Sequence, residues 1–203
     1  LHLSIRRQRQ MCIRDRHCDV YLMWPETEGM LRGLMEKMSE KAAKFNRTLD
    51  FGLRVHVVVR ETEEEACVYA KTIISKLDLE MGTELRYRSL DAKSLGVSRQ
   101  EKMRDESSTD GYIEPNLWTG IGKARSGCGA ALVGNPNQII EKLNRYMEMG
   151  IRSFIFSGYP HLDECNKFAE LVLPRLKTFS MPQEQGRVIK NAPQTPLAEG
   201  IRV

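Results

Sequence analysis

An arginine and a histidine stand two residues apart in the valine-rich run "FGLRVHVVVRET", residues 51–62. In an extended chain, alternate side chains point to opposite faces, so Arg54 and His56 share one face while Leu53, Val55, Val57 and Val59 share the other. A guanidinium taken out of water costs several kcal/mol unless it is paired. Two readings follow. Arg54 is either half of a structural ion pair with a carboxylate on a neighbouring strand, or the fork of an anion site matched to carboxylate, phosphate or sulfonate oxygens. His56 beside it could donate a hydrogen bond or carry a proton.

Other residues with chemical potential are more dispersed. Trp24 closes a short apolar run, where an aromatic core plug is common. Tyr159, in "SGYPH", falls just past an expected strand, and His161 falls at the start of the helix that follows. Lys123 and Arg125 lie in the glycine-rich run "NLWTGIGKARSGCGAALVG", residues 116–134. Its "GIG" does not make a dinucleotide fingerprint, because the third glycine position is occupied by Arg125 and no strand is expected before it. A mobile lid and a solvated loop are the two readings of that run.

The elements that must position these groups alternate. "DVYLMW" (19–24) is read as a strand. Residues 27–45 form an amphipathic helix with Met30, Leu31, Leu34, Met35, Met38, Ala42 and Phe45 on one stripe. Strand 51–60 is followed by a helix opened by a Thr62/Glu65 capping box. Residues 80–117 lose periodicity and read as an insertion, with a short helix near 98–104. A helix capped by Asn135, with Pro136 at its first turn, ends at Gly150. Strand 153–158 and a last helix complete the order, and a Pro/Gln-rich tail follows from about 178. Alternation of this kind predicts an α/β fold with parallel strands.

Composition narrows the class. Net charge is +4 over 203 residues, and residues 1–16 carry all of it, with five arginines against Asp15. The remaining chain is neutral, so no nucleic-acid partner is expected. "MCIRDR" (11–16) resembles one reading frame of a transposase mosaic end used in sequencing libraries, and residues 1–16 are set aside as an assembly artefact. Five cysteines without metal-ligand spacing predict neither disulfides nor zinc, and a cytoplasmic location is expected. No apolar run reaches membrane-spanning length.

"CDVYLMW", "FGLRVHVVVRETEEEA", "NLWTGIGKARSGCGAALVG" and "GIRSFIFSGYPHLDE" together resemble the two-component alkanesulfonate monooxygenases of the bacterial-luciferase-like flavin family, from about residue 17 to 180. The resemblance implies the C-terminal part of a (β/α)8 TIM barrel with an insertion or lid at about 80–134 and an extended tail over 181–203. It implies an enzyme that takes reduced FMN from a separate NAD(P)H-dependent reductase and, with O2, converts a small organosulfonate to aldehyde and sulfite. Arg54, His56 and Tyr159 match the family's catalytic positions, and Trp24 and Arg125 its substrate-binding ones. Where the family has "RGGAG", this chain has "RSGCG", with Ser126 and Cys128. Homo-oligomerisation of the full-length protein is also implied, while the FMN-contacting residues stay unassigned. A full barrel needs roughly 250 residues and eight strands, so the chain is expected to be a fragment without activity of its own. The alternatives are a relative acting on methanesulfonate, dimethyl sulfone or another small sulfur compound, a deazaflavin-dependent dehydrogenase, and a non-catalytic half-barrel that binds a partner.

Overall fold

A computed structural model describes residues 18–88, 94–124 and 129–178. The stretch set aside at the N-terminus, the C-terminal tail, Arg125, Ser126 and Cys128 therefore lie outside the described residues.

Strand β2 (Asp50–Val59) is the axis of the molecule. It pairs in parallel with β1 (Val20–Met23), β5 (Ala131–Gly134) and β6 (Ile151–Ser157). Leu53 is in register with both Met23 and Phe154, and His56 with both Ala131 and Ser157. A strand has two edges, so β6 runs along one while β1 and then β5 follow each other along the other. An antiparallel ribbon, β3 (Tyr112–Glu114) and β4 (Leu117–Trp118), extends the sheet beyond β5. The result is the expected α/β class, a curled half-barrel sheet.

Its helices form where local chemistry starts and stops them. Helix α1 (Glu28–Ala43) begins at Thr27, whose side chain accepts a hydrogen bond from the Met30 amide, and buries Leu31, Met35, Met38 and Ala42. It is shorter than 27–45 because Asn46 turns into positive φ and Phe45 stays 43 % exposed. Helix α2 (Glu63–Ile73) carries the expected reciprocal cap between Thr62 and Glu65 and buries only Ala66 and Ala70, small residues that let it lie close to its neighbours. Helices α3 (Leu79–Arg88) and α4 (Leu95–Asp105) occupy the aperiodic stretch. Helix α5 (Pro136–Glu148) has the Asn135 cap, and α6 (His161–Leu171) follows β6.

The two faces of β2 bury different partners. Leu53, Val55, Val57 and Val59 join Leu31, Met35 and Met38 of α1, Ile139 and Leu143 of α5, and Phe168 of α6 in the larger core. On the other face, Val58 meets Ala131, Val133, Trp118, Ile121 and the two alanines of α2.

The first part of the glycine-rich run is packed rather than solvated. A two-residue strand, β4, does precede it, and Gly120–Lys123 form a buried-sided 3-10 turn wrapped around Trp118. A Cβ on Gly120 would lie 2.2 Å from Trp118 Cζ2, and the ring is only 2 % exposed. Gly120→Ala should therefore destabilise the chain by about 1–3 kcal/mol through overpacking, read as a lower urea midpoint with an unchanged slope.

Candidate active site

The period of two along β2 puts Gly52, Arg54, His56 and Val58 on one face. In parallel register, Leu22 and Ser153 flank Gly52, Ile155 flanks Arg54, and Ser157 flanks His56. Glycine at position 52 leaves room for Ser153, whose Oγ would lie 2.6 Å from a Cβ there. Leu22 and Ile155 remain 47 % and 49 % exposed. The Arg54 end of this face is thus an open, apolar floor, while the His56 end is roofed.

Arg54 is half-buried. Its register neighbour on β6 is Ile155, and among the described residues it makes no hydrogen bond or ion pair. The structural ion pair with an adjacent strand is therefore not formed among the described residues. His56 is 3 % exposed, and its ring stacks on Tyr159 at a centroid separation of 5.4 Å and an interplanar angle of 21°. Tyr159 in turn meets His161 edge-on at 4.9 Å. Beside His56, Ser157 Oγ is buried with no hydrogen-bond partner among the described residues.

Trp24 follows the Met23–Leu53 register pair by one residue, about level with Arg54. It is half-buried, and the N-terminal turn of α4 rests on it: a Cβ on Gly96 would lie 3.3 Å from Trp24 Cζ3. The same helix grips the chain just beyond. Gln100 Nε2 donates to the Pro25 carbonyl at 3.0 Å, and Arg99 Nε lies 2.8 Å from Glu26 Oε1. Burial pushes the Glu26 carboxyl above its ordinary pKa, and the Arg99 charge and hydrogen bond only partly oppose it. The element seen over Trp24 is thus α4, read from sequence only as a short helix near 98–104. Arg125, expected to close the site, lies outside the described residues.

Four residues of this region were not singled out by sequence. Ser157 and Arg60 lie on the same period-two faces as the residues that were, and that signal was available. Tyr69 and Glu164 sit on helices α2 and α6 and gave none. Arg60 makes a two-point contact with Glu164, at 2.6 and 3.1 Å, and its guanidinium carbon lies 3.6 Å above the Tyr69 ring. The Tyr69 hydroxyl donates to the Tyr159 carbonyl at 3.1 Å.

Comparison with known proteins decides the class. The profile of the luciferase-like monooxygenases matches residues 8–153. The chain belongs to that family. Among relatives in the family, a sulfoquinovose monooxygenase from Agrobacterium fabrum is 57 % identical over 91 % of this chain and 48 % of its own length. One from Novosphingobium aromaticivorans is 56 % identical over 78 % of this chain and 44 % of its own. The chain thus spans about half the length of the curated relatives it matches. Of solved structures, DmoA from Hyphomicrobium sulfonivorans superposes with a TM-score of 0.61 over 94 % of this chain and 42 % of DmoA, at 14 % identity, a likeness of fold. No described helix is long and apolar enough to cross a membrane.

Proposed function

We propose that this chain supplies the anion-binding wall of a reduced-flavin-dependent monooxygenase that releases sulfite from an organosulfonate, with sulfoquinovose as the first candidate. The observation that carries the reading is Arg54: a half-buried guanidinium with no carboxylate partner among the described residues, facing an open floor. Its fork suits two oxygens of a sulfonate. A neutral sulfone would leave that charge uncompensated, so a sulfonate is favoured over dimethyl sulfone. The names of the relatives favour sulfoquinovose over a plain alkanesulfonate, which remains the second substrate class.

The floor also fits a flat cofactor ring, with half-exposed Leu22 and Ile155 for its face and the buried Ser157 hydroxyl beside it for a polar edge. Reduced flavin, FMN in our reading, would supply two electrons and O2 would be the oxidant: one oxygen would go to the carbon bearing sulfur, the C–S bond would break, sulfite and an aldehyde would leave, the second oxygen would become water, and the flavin would be left oxidised. The chain's own residues bind and orient. Arg54 holds the anion and offsets charge that grows as sulfite departs. His56 and Tyr159 exchange a proton at the substrate oxygen. Trp24 walls the alkyl side, and Arg125 closes the site against water. A separate NAD(P)H-dependent reductase supplies the reduced flavin, and the complete enzyme is a homo-oligomer.

The test is a chimera in which residues 18–178 replace the region they match in the Agrobacterium fabrum relative. With reduced FMN and air it should release sulfite from sulfoquinovose faster than from straight-chain alkanesulfonates, and release none from dimethyl sulfone. A folded chimera that frees no sulfite from any sulfonate overturns the reading. The isolated 203-residue chain is expected to be silent in the same assay; sulfite from it would refute the fragment reading.

A further inference from the structure

We propose that Tyr69 is a positioning residue: held by Arg60 and Glu164, its hydroxyl anchors the Tyr159 loop so that the Tyr159 ring stays against His56. The inference rests on the reading of His56 and Tyr159 as site residues, and adds three residues that touch neither substrate nor cofactor.

The contacts form a chain. Arg60 directly follows the strand that carries Arg54 and His56, and Glu164 lies in the first turn of the helix that begins two residues after Tyr159. Their two-point contact joins segments 104 residues apart. Side-chain exposure is 12 % for Arg60 and 3 % for Glu164, so water competes little for either. Arg60 also donates to its neighbour's carbonyl, Val59, at 2.6 Å, which fixes the guanidinium plane at the strand end. That plane covers Tyr69, an arrangement favoured by the ring quadrupole, and Tyr69 spends its one donor on the Tyr159 carbonyl.

The loop has little room to choose another path. A Cβ on Gly158 would sit 2.4 Å from Glu164 Cβ, so the backbone before Tyr159 already lies against helix α6. What close packing leaves open is the tilt of residue 159 toward or away from β2. A single hydrogen bond to its carbonyl, made by a side chain that the Arg60–Glu164 pair immobilises, removes that freedom. The geometry is that of a shell that orients a reacting group, where small misplacements lower rate more than stability.

The experiment uses the 203-residue chain with its four histidines labelled on the imidazole, the His56 signals being assigned by their loss in His56→Gln. Tyr159→Leu gives the displacement expected when the stack is lost. Tyr69→Phe, which keeps the ring under Arg60 and removes only the donor, should move the His56 signals by at least half that displacement, with an unchanged thermal midpoint. Arg60→Lys should move them in the same direction. Unmoved His56 signals in Tyr69→Phe overturn the proposal. So does a lowered thermal midpoint in Tyr69→Phe, which would make its role structural, or a Tyr159→Leu chain whose His56 signals do not change. In the sulfite-releasing chimera, Tyr69→Phe should lower kcat several-fold with KM unchanged; a raised KM at unchanged kcat overturns it. A chimera without any turnover removes the functional reading alone, since the imidazole signals still decide this one.

Discussion

Replacing Arg54 by alanine in the chimera should lower kcat/KM for sulfite release by about 10²–10³-fold, the effect of removing one preorganised donor from a developing negative charge. The fold should survive, because Arg54 makes no hydrogen bond or ion pair among the described residues and is only half-buried. Substitutions at such positions typically stay within about 0.5 kcal/mol. A steep loss of rate beside an unmoved urea midpoint separates an anion site from a structural cation, whose removal would do the reverse. Arg54→Lys should fall between wild type and alanine, since it keeps the charge but loses the planar fork. Full turnover by Arg54→Ala at saturating reduced flavin would end the proposal that this face binds the sulfonate.

The sequence showed this face but not its state of pairing. Period-two alternation in β2 located Arg54 and His56, and "SGYPH" placed Tyr159 at a strand end, because each signal is local to a few residues. Whether Arg54 had a carboxylate partner depended on β1 and β6, whose register no local pattern encodes. The same limit hid the pairing of Arg60 with Glu164, which meet across 104 residues, although the period of two already put Arg60 on the Arg54 face. The helices α2 and α5 were legible from Thr62, Glu65, Asn135 and Pro136, residues that act within one turn; the structure adds Gln138 as the second half of the α5 cap. The insertion was not. Strands β3 and β4 have three and two residues, too short for a period to register. Helix α4 buries Val97, Gln100 and Met103, a stripe with a polar member that hydropathy does not mark. Gln100 is inside because it holds the Pro25 carbonyl, a contact made 75 residues away in sequence. The first glycines after β4 are packing residues, which composition alone does not distinguish from a loop. At Gly120 and Gly122 the lack of a side chain serves close approach to Trp118 and to the Gly129 carbonyl.

The second large effect concerns a lysine that no chemistry required. Lys142 of α5 is 1 % exposed, and its ammonium contacts Glu28 at 2.7 Å and Glu114 at 2.5 Å. Arg145, one turn on, reaches Glu28 at 3.0 Å, and the Glu28 amide donates to the Glu114 carboxylate. One buried cation thus ties the start of α1, the β3 ribbon and α5 together. Lys142→Met keeps the aliphatic bulk but leaves Glu114 without its cation and Glu28 with Arg145 alone, beside an apolar wall. Breaking a buried pair in this way costs 3–5 kcal/mol; because Glu28 and Glu114 retain some contact with water, the lower end, about 3 kcal/mol, is expected. Against a total stability of about 5–15 kcal/mol for a folded domain, that is a large share, visible as a fall in urea midpoint. Adding Glu28→Gln and Glu114→Gln should recover most of it, since no charge is then left unpaired. Acid should reveal the same cluster. Burial pushes the Glu28 carboxyl up, but hydrogen bonds and charge from Lys142 and Arg145 outweigh it and hold it below the ordinary 4.5. The unfolded chain then takes up this proton before the folded one does, so the stabilisation is present above 4.5 and lost as pH falls through the lower folded value. Urea midpoints measured from neutral pH down to pH 3 should fall more steeply for the wild type than for Lys142→Met. Parallel curves would mean that Lys142 and Glu28 do not share a proton-linked contact in solution, and the cluster would lose its place in the account of stability.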